Sequence, residues 1–180
     1  LYFNEIISWN RISSNGVSFK YLPEGLLCGD SSSFIYSKTD ILELLGYLNS
    51  KLGIHFLDFI NPTLAAQTGS IAKIPFFHSD KFMNNVIIKK CIQISKHNWD
   101  SRETSWDFHK NEFIRLKEDT LERTFDKYKK YWEELFSELH RNEEELNRQF
   151  IEIYGLKDEL TPDVPLEEIT ILQEETSIEN

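Results

Sequence analysis

Residues 1–36 read LYFNEIISWNRISSNGVSFKYLPEGLLCGDSSSFIY, and this stretch decides the fold class. Three short strand-like runs, at 1–9, 17–22 and 33–36, are separated by residues that favour turns. Asn15-Gly16 lies between the first two runs and favours a tight hairpin, because both residue types accept a positive φ. The pattern predicts a small antiparallel sheet with polar turns that face the solvent.

Helical spacing replaces the strand pattern after these runs. Thr39 or Asp40 can cap a helix, and its apolar residues share one face. These residues are Ile41, Leu44, Leu45, Leu48 and Leu52. Gly46 and Gly53 weaken this helix, and Pro62 must end or interrupt it. The sequence therefore predicts one helix that stops before the proline.

The next part of the chain combines a loop, a strand and a second helix. Residues 63–77 predict loop and strand, and the second helix begins near Ser79 or Asp80. Its apolar face holds Met83, Ile87, Cys91 and Ile94. Cys91 is therefore predicted to be a packed thiol. The two cysteines, 63 residues apart, exclude a disulfide scaffold and a four-cysteine zinc site.

Residues 112–150 contain neither Pro nor Gly and predict a helical rod. Alternating steps of three and four residues form a coiled-coil-like seam of Phe125, Tyr128, Trp132, Leu135, Leu139, Asn142, Leu146 and Gln149. At ~1.5 Å per residue the rod is roughly 60 Å long, and Gly155 can end it. Its apolar stripe must pack against the helix at 80–96, a second copy of the chain, or the rest of a larger protein. We predict helix docking through Phe125, Tyr128, Trp132, Leu135 and Leu139.

The net charge of −10 is divided unevenly along the chain. Residues 1–100 hold 9 Lys and Arg against 8 Asp and Glu, whereas residues 101–180 hold 11 against 22. A polyanion such as DNA would be repelled by the second half. Residues 151–180 carry one Lys and nine acids, which predicts a solvated acidic tail.

Composition limits the class of protein. Hydrophobic residues make up 40% and aromatic residues 13% of the 180 residues, enough for one ordinary core. The apolar runs are too short to span a membrane, and we expect no secretory signal, because no basic start is followed by an apolar run. We therefore expect a cytoplasmic protein without a membrane partner. The chain starts at Leu1 and its single Met is Met83, which favours a piece of a larger protein.

Motifs that carry chemistry are scarce. None of the five histidines pairs with another ligand at metal-binding spacing, so no metal is expected. Asn61-Pro62-Thr63-Leu64 resembles the Asn-Pro-Pro-Tyr motif of amino-group DNA methyltransferases, but Thr63 replaces the second Pro and Leu64 the stacking aromatic. We interpret it as a helix end followed by a proline loop, and we predict no catalytic residue and no cofactor in this segment.

The predicted turns instead carry side chains that can bind DNA. Arg, Asn and Gln can contact base edges in pairs of hydrogen bonds, and hydroxyls and lysines can contact phosphates. These candidates are Arg11, Ser13, Ser14, Asn15, Lys20, Ser31, Ser32, Ser33, Gln67, Thr68, Ser70 and Lys73. The alternative is that they are the ordinary polar turns of any soluble domain.

Several segments, in order, resemble the C-terminal part of BREX-type adenine-specific DNA methyltransferases, the PglX family. They are Ile7–Ser14, Phe19–Gly25, Leu45–Lys51, Ile60–Leu64, Gln67–Ile71, Lys73–Pro75, Cys91–Lys96, Trp99–Ser101, Glu103–Phe108, Asn142–Arg148 and Ile153–Pro162. Among them, Trp-Asp-Ser followed by Thr-Ser-Trp-Asp is the most specific. A leucine helix with Leu48-Asn49-Ser50, followed by Gly69, Ile71, Lys73-Ile74-Pro75 and a further helix, also resembles target recognition domains of type I restriction specificity subunits.

The residue patterns predict an α+β fold with a sheet module at 1–100, a helical spacer at 101–155 and an acidic tail at 156–180. The resemblance makes the first module target-recognition-like and implies a function and partners. The parent protein would be an S-adenosylmethionine-dependent N6-adenine methyltransferase of a phage-defence or restriction-modification system. Its partners would be double-stranded DNA and other domains or defence-system subunits, with dimerisation through the rod as a further option.

Two other functions are compatible with the residues. The chain could be a protein-interaction module that docks or dimerises through the heptad helix and never touches DNA. An autonomous hydrolase or nuclease is disfavoured, because the first half lacks clustered carboxylates.

Overall fold

An antiparallel sheet, a set of helices and one long helix make up the chain, which confirms the α+β class. The computed structural model describes residues 3–12, 16–27, 29, 32–37, 40–63, 65–78 and 85–169. The elements in this part of the chain are β1 (Ile6–Asn10), β2 (Lys20–Leu22), β3 (Ser32–Ile35), α1 (Ile41–Asn49), α2 (Lys51–Ile60), α3 (Thr68–Ile71), α4 (Asn85–Asp100), α5 (Glu112–Arg115), α6 (Leu121–Ile153) and a 3-10 turn (Leu166–Glu168).

The sheet has the strand order β2-β1-β3, and both pairings are antiparallel. The central strand β1 is buried at Ile6, Ile7 and Trp9, because a middle strand of a small sheet is covered most completely. Asn15 of the predicted hairpin turn lies outside the described residues. The sheet therefore presents β2 and β3 as its two edges.

The helix predicted from residue 40 onward is two helices. Asp40 caps α1, as predicted, because its Oδ1 accepts the backbone N–H groups of Leu42 and Glu43. Ser50 then takes an extended conformation, and its Oγ donates to Tyr47 O (2.6 Å) and accepts from Gly53 N (3.2 Å). The hydroxyl thus ends one helix and begins the next, which the apolar spacing alone does not indicate. The helix end before Pro62 is confirmed, since α2 ends at Ile60.

A strand within residues 63–77 is not observed, so that prediction is wrong for the described residues. The segment instead forms the short helix α3 and one isolated bridge. The hydroxyls of Tyr47 and Tyr154 both donate to Pro75 O, at 2.5 and 2.9 Å, so this carbonyl is already engaged by side chains. Burial raises the pKa of both tyrosines, which keeps both hydroxyls protonated as donors.

The long helix α6 begins at Leu121, later than predicted, and is ~50 Å long at 1.5 Å per residue. Thr120 causes this start, because its Oγ1 accepts Arg123 N at 3.2 Å in the manner of a helix cap. The predicted stop at Gly155 is confirmed. Its φ is +70°, and the bonds Gly155 N to Glu152 O and Leu156 N to Ile151 O complete the left-handed C-cap.

The chain packs as two units. The sheet unit consists of Leu1–Ile88 and Glu145–Pro162, and the helical unit consists of Lys89–Glu144 and Asp163–Asn180. These units do not follow the division at residues 100 and 155 that charge and periodicity suggest, and that division stays a prediction.

The helical unit contains a core around Leu139. Ile94, Leu139 and Ile169 are buried, with Cys91, Leu135, Phe136 and Val164 packed against them. Val164 N donates to Glu144 Oε1 (3.3 Å), and Val164 O lies 2.8 Å from His140 Nε2. The acidic segment predicted as a tail therefore starts with residues packed on α6, and its part from residue 170 onward lies outside the described residues.

The packed thiol of Cys91 leads to a first prediction. Burial raises the pKa of Cys91 to about 12, and the charges of Glu143 and Glu138 add to the shift. Since the thiolate is the nucleophile, we expect folded protein at pH 8 to be alkylated by iodoacetamide a hundred- to about a thousandfold more slowly than urea-unfolded protein. Mass spectrometry of a Cys28→Ser variant follows this thiol alone. Equal rates in the two states would contradict the packing.

Candidate nucleic-acid interface

Three segments that are distant in the chain meet at the β3 edge of the sheet unit. Arg11 Nε donates to Ser33 Oγ at 3.1 Å, and Thr68 Oγ1 lies 3.3 Å from the same oxygen. Ser33 is only 5% exposed, whereas Arg11 and Thr68 are exposed. We name Arg11, Ser33, Gln67 and Thr68 the polar edge. Three of the predicted DNA-binding candidates are thus brought into contact, and Gln67 is the neighbour of Thr68 in the chain.

The backbone of the polar edge is held by the residues around it. Trp9 Nε1 donates to Ala66 O (2.9 Å), and Ala66 N donates to Arg11 O (2.8 Å). Ile12 and Ala65 form an antiparallel bridge. The buried indole of Trp9 therefore anchors the segment that positions Gln67 and Thr68 at the start of α3.

The two predicted lysines occupy separate places on the sheet unit. Lys20 lies on the opposite edge strand β2, paired in register with Ser8, and Lys73 follows α3. Both side chains are exposed, and neither makes an ion pair or hydrogen bond with the described residues. Each is thus a point charge available to an anion.

The other predicted DNA-binding residues contribute little that can be described. Ser13, Ser14, Asn15 and Ser31 lie outside the described residues. Ser32 Oγ donates to Gly29 O at 3.2 Å, so this hydroxyl closes its own turn.

Asn61, the residue of the methyltransferase-like motif, has its side chain engaged at both ends. Its Nδ2 donates to Ala65 O (2.7 Å), and its Oδ1 accepts from Thr63 Oγ1 (2.8 Å). It is also the C-cap residue of α2, which confirms the interpretation as a helix end. The amide therefore holds a loop that leads to the polar edge.

The predicted docking residues of α6 differ in exposure. Trp132 and Leu139 are 2% and 1% exposed, so they lie in the interior of the helical unit. Tyr128 and Leu135 are half-buried, and Phe125 is exposed. Docking through this seam stays a prediction, and its outward part lies at the beginning of α6.

A polar cavity of about 410 Å³ in the helical unit was not predicted from the sequence. Lys96 Nζ lies 2.6 Å from Asp100 and 2.7 Å from Asp107, and hydrogen bonds to these carboxylates raise the pKa of Lys96. Arg115 pairs with the buried Glu112 at 2.5 Å. The i,i+4 spacing of Lys96 and Asp100 and the i,i+3 spacing of Glu112 and Arg115 were the available sequence signals. These charges compensate one another within the cavity.

An apolar cavity of about 260 Å³ lies in the sheet unit. It is lined by Trp9, Ile35, Leu44, Tyr47, Leu48, Thr68, Ile71, Ala72, Ile74 and Phe76. No Asp or Glu is among these residues, so the cavity lacks the carboxylate that commonly holds a ribose in nucleotide sites.

The described residues hold neither a metal site nor a helix that could span a membrane. No group of three or more His, Cys, Asp or Glu side chains there could hold a metal ion. No helix in the same part of the chain has the length and apolar character needed to cross a membrane.

Comparison with known proteins relates the chain to part of larger proteins. No protein-family model matches it. It is 34% identical over 178 residues to "Adenine-specific methyltransferase PglX" of Lacticaseibacillus casei (strain Zhang), and 32% identical over 165 residues to "Adenine-specific methyltransferase BrxX" of Escherichia coli O9:H4 (strain HS). The matches cover 94% and 89% of this chain, but the chain spans only 15% and 13% of those relatives. Along nearly its whole length, the chain is therefore similar to one segment of proteins named adenine-specific methyltransferases.

Proposed function

We propose that this chain is the DNA target recognition segment of a larger N6-adenine DNA methyltransferase in a BREX-type phage-defence or restriction-modification system. The similarity to segments of PglX and BrxX supports the methyltransferase assignment. The resemblance to target recognition domains supports the role of the segment.

The observation that carries the proposal is the state of three cations on the sheet unit. Arg11, Lys20 and Lys73 are exposed and make no ion pair with the described carboxylates. On α6, in contrast, Lys129 and Lys130 each lie 3.9 Å from a glutamate. Cations without a carboxylate partner can neutralise phosphates and release counterions, whereas paired cations in an acidic helix cannot do so as easily.

The segment would contribute binding and register to the reaction. Contacts to phosphates fix the position of the protein on the duplex, and contacts to base edges select the sequence. Both would place the catalytic domain of the larger protein over an adenine that is flipped out of the stack. The side chain of Asn61 would stabilise the loop beside the polar edge, since its amide is already engaged.

The residues described here do not fit S-adenosylmethionine. Residues 36–40, between β3 and α1, contain no glycine that would let a backbone approach the cofactor. The apolar cavity also lacks a carboxylate for the ribose. We therefore assign cofactor binding to the rest of the larger protein.

The salt dependence of DNA binding tests the proposal. In the full-length protein, we expect Arg11→Ala, Lys20→Ala and Lys73→Ala together to weaken binding to duplex DNA. The slope of log K against log salt should become less steep by roughly two, because each phosphate contact in B-DNA contributes ~0.9 and the two lysines supply such contacts. Fluorescence anisotropy at several salt concentrations measures both quantities.

A charge-matched variant provides the control. Arg123→Ala, Lys129→Ala and Lys130→Ala remove the same residue types from α6, where all three cations lie near acidic side chains. This variant should keep the slope of the unmodified protein. If both triple variants bind DNA with an unchanged slope, the sheet unit is not the DNA contact.

A second function, protein docking by the helical unit, is favoured by apolar residues exposed near the start of α6. Leu121 is 76% exposed, Ile114 56% and Phe125 38%. These side chains could cover a surface of another domain, a defence-system subunit or a second copy. Docking by one unit and DNA binding by the other are compatible.

A further inference from the structure

We infer that Arg11 reads a guanine base in the major groove and that Ser33 is the positioning residue that orients it. This inference rests on the proposed DNA-binding function and adds the class of base that is recognised. Two observations support it: a hydrogen bond holds the backbone of Arg11 at Ala66, and another hydrogen bond holds its side chain at Ser33.

The backbone at Arg11 is tied to the loop before α3. Arg11 O accepts a hydrogen bond from Ala66 N at 2.8 Å, and Trp9 Nε1 donates to Ala66 O at 2.9 Å. Trp9 is only 1% exposed. The exposed arginine therefore starts from a backbone position that is anchored in the core of the sheet unit.

The side chain of Arg11 is restrained at one nitrogen only. Its Nε donates to Ser33 Oγ, which Thr68 Oγ1 also contacts. Ser33 is itself fixed, because its carbonyl accepts from Ser8 Oγ at 3.0 Å in the buried β1–β3 pair. The terminal nitrogens, Nη1 and Nη2, have no hydrogen-bond partner among the described residues.

This arrangement presents an oriented fork of N–H donors. The guanidinium is planar, so the hydrogen bond at Nε restrains the directions in which Nη1 and Nη2 can donate. Two parallel N–H donors match the O6 and N7 acceptors of guanine, the commonest specific arginine contact in the major groove. A phosphate can also accept such a fork, but a lysine neutralises a phosphate without it, and the exposed Lys20 and Lys73 suit that role.

Conservative variants of the full-length protein distinguish base recognition from sequence-independent electrostatic attraction to DNA. Arg11→Lys keeps the charge but loses the fork, and Ser33→Ala keeps Arg11 but removes its anchor. We expect Arg11→Lys to lower the preference for guanine at one position of the recognised sequence by about ten- to a hundredfold. Ser33→Ala should lower the preference at the same position by a smaller factor. Other positions should keep their preference.

The readout is the sequence context of N6-methyladenine, determined by sequencing DNA from cells that express each variant. Competition binding with duplexes altered at that one position gives the preference directly. Lys73→Ala is the matched control, for which we expect weaker binding to all sequences and an unchanged recognition sequence. Thermal unfolding followed by circular dichroism shows whether Ser33→Ala is folded, and the exposed Arg11→Lys carries the test if it is not.

The outcomes distinguish this inference from the proposed function. If Arg11→Lys leaves every position of the recognised sequence unchanged, or if Arg11→Ala weakens binding equally for all sequences, Arg11 does not read a base. DNA binding that still depends on Lys20 and Lys73 would leave the proposed function intact. If Arg11, Lys20 and Lys73 are all dispensable for DNA binding, the proposed function itself fails, and this inference fails with it.

Discussion

Replacing Trp132 with Ala is expected to lower the free energy of unfolding by about 3–5 kcal/mol, the range for removing a buried aromatic ring. Trp132 is 2% exposed in the helical unit. Its ring stacks on that of His97, with centroids 5.5 Å apart and planes 19° apart, and it meets the edges of Tyr128 and Tyr131. Alanine would leave a cavity among these rings, which the surrounding helices can fill only partly.

Two related variants sharpen this test. Trp132→Phe keeps an aromatic ring and removes the buried Nε1–H, which has no acceptor among the described residues, so its cost should be well below that of alanine. Phe125→Ala truncates an exposed member of the same seam and should cost less than about 1 kcal/mol.

Urea unfolding followed by circular dichroism at 222 nm measures all three variants. We expect the midpoint for Trp132→Ala to fall by about 1 M or more, with a nearly unchanged slope. An unchanged midpoint for Trp132→Ala together with loss of an interaction partner would assign Trp132 to a docking surface. In that event Trp132 would act in binding a partner, and its burial would contribute little to the stability of the helical unit.

Gly53→Ala is expected to destabilise the protein by about 2–3 kcal/mol, although Ala normally favours a helix over Gly by about 1 kcal/mol. A Cβ at residue 53 would lie 2.2 Å from Tyr47 O and 3.0 Å from the Cα of Leu48. Both atoms belong to the backbone of α1 and cannot move away like the end of a side chain. The turn at Ser50 between α1 and α2 would therefore have to widen, and the Ser50 cap that begins α2 would be lost.

Gly69→Ala is the matched control for this substitution. Gly69 also lies in a helix, α3, but no atom lies within 4 Å of a Cβ built there. We expect this variant to be as stable as the unmodified protein or more stable by up to about 1 kcal/mol. Thermal unfolding measures both. If Gly53→Ala matched Gly69→Ala in stability, the close approach of α1 and α2 would not be required.

The candidate site was predictable in residue type but not in arrangement. Exposed turns with Arg, Ser, Gln, Thr and Lys point to hydrogen bonding with a polyanion. The residues that meet at Ser33 Oγ, however, are separated from Ser33 by 22 and 35 positions. The ring contact of His97 with Trp132 spans a similar distance in the chain. Periodicity and spacing report only on residues within one or two turns of each other, so neither meeting could be predicted.

The amino-acid sequence alone determined the features whose causes are local. The Asp40 cap, the helix stop before Pro62 and the left-handed Gly155 depend on atoms within about five residues of each position. Tertiary structure alone decided that Arg11 and Thr68 meet at Ser33 and that Trp132 lies inside the helical unit. These outcomes depend on which distant parts of the chain pack closely enough to exclude water. That is a property of the folded chain.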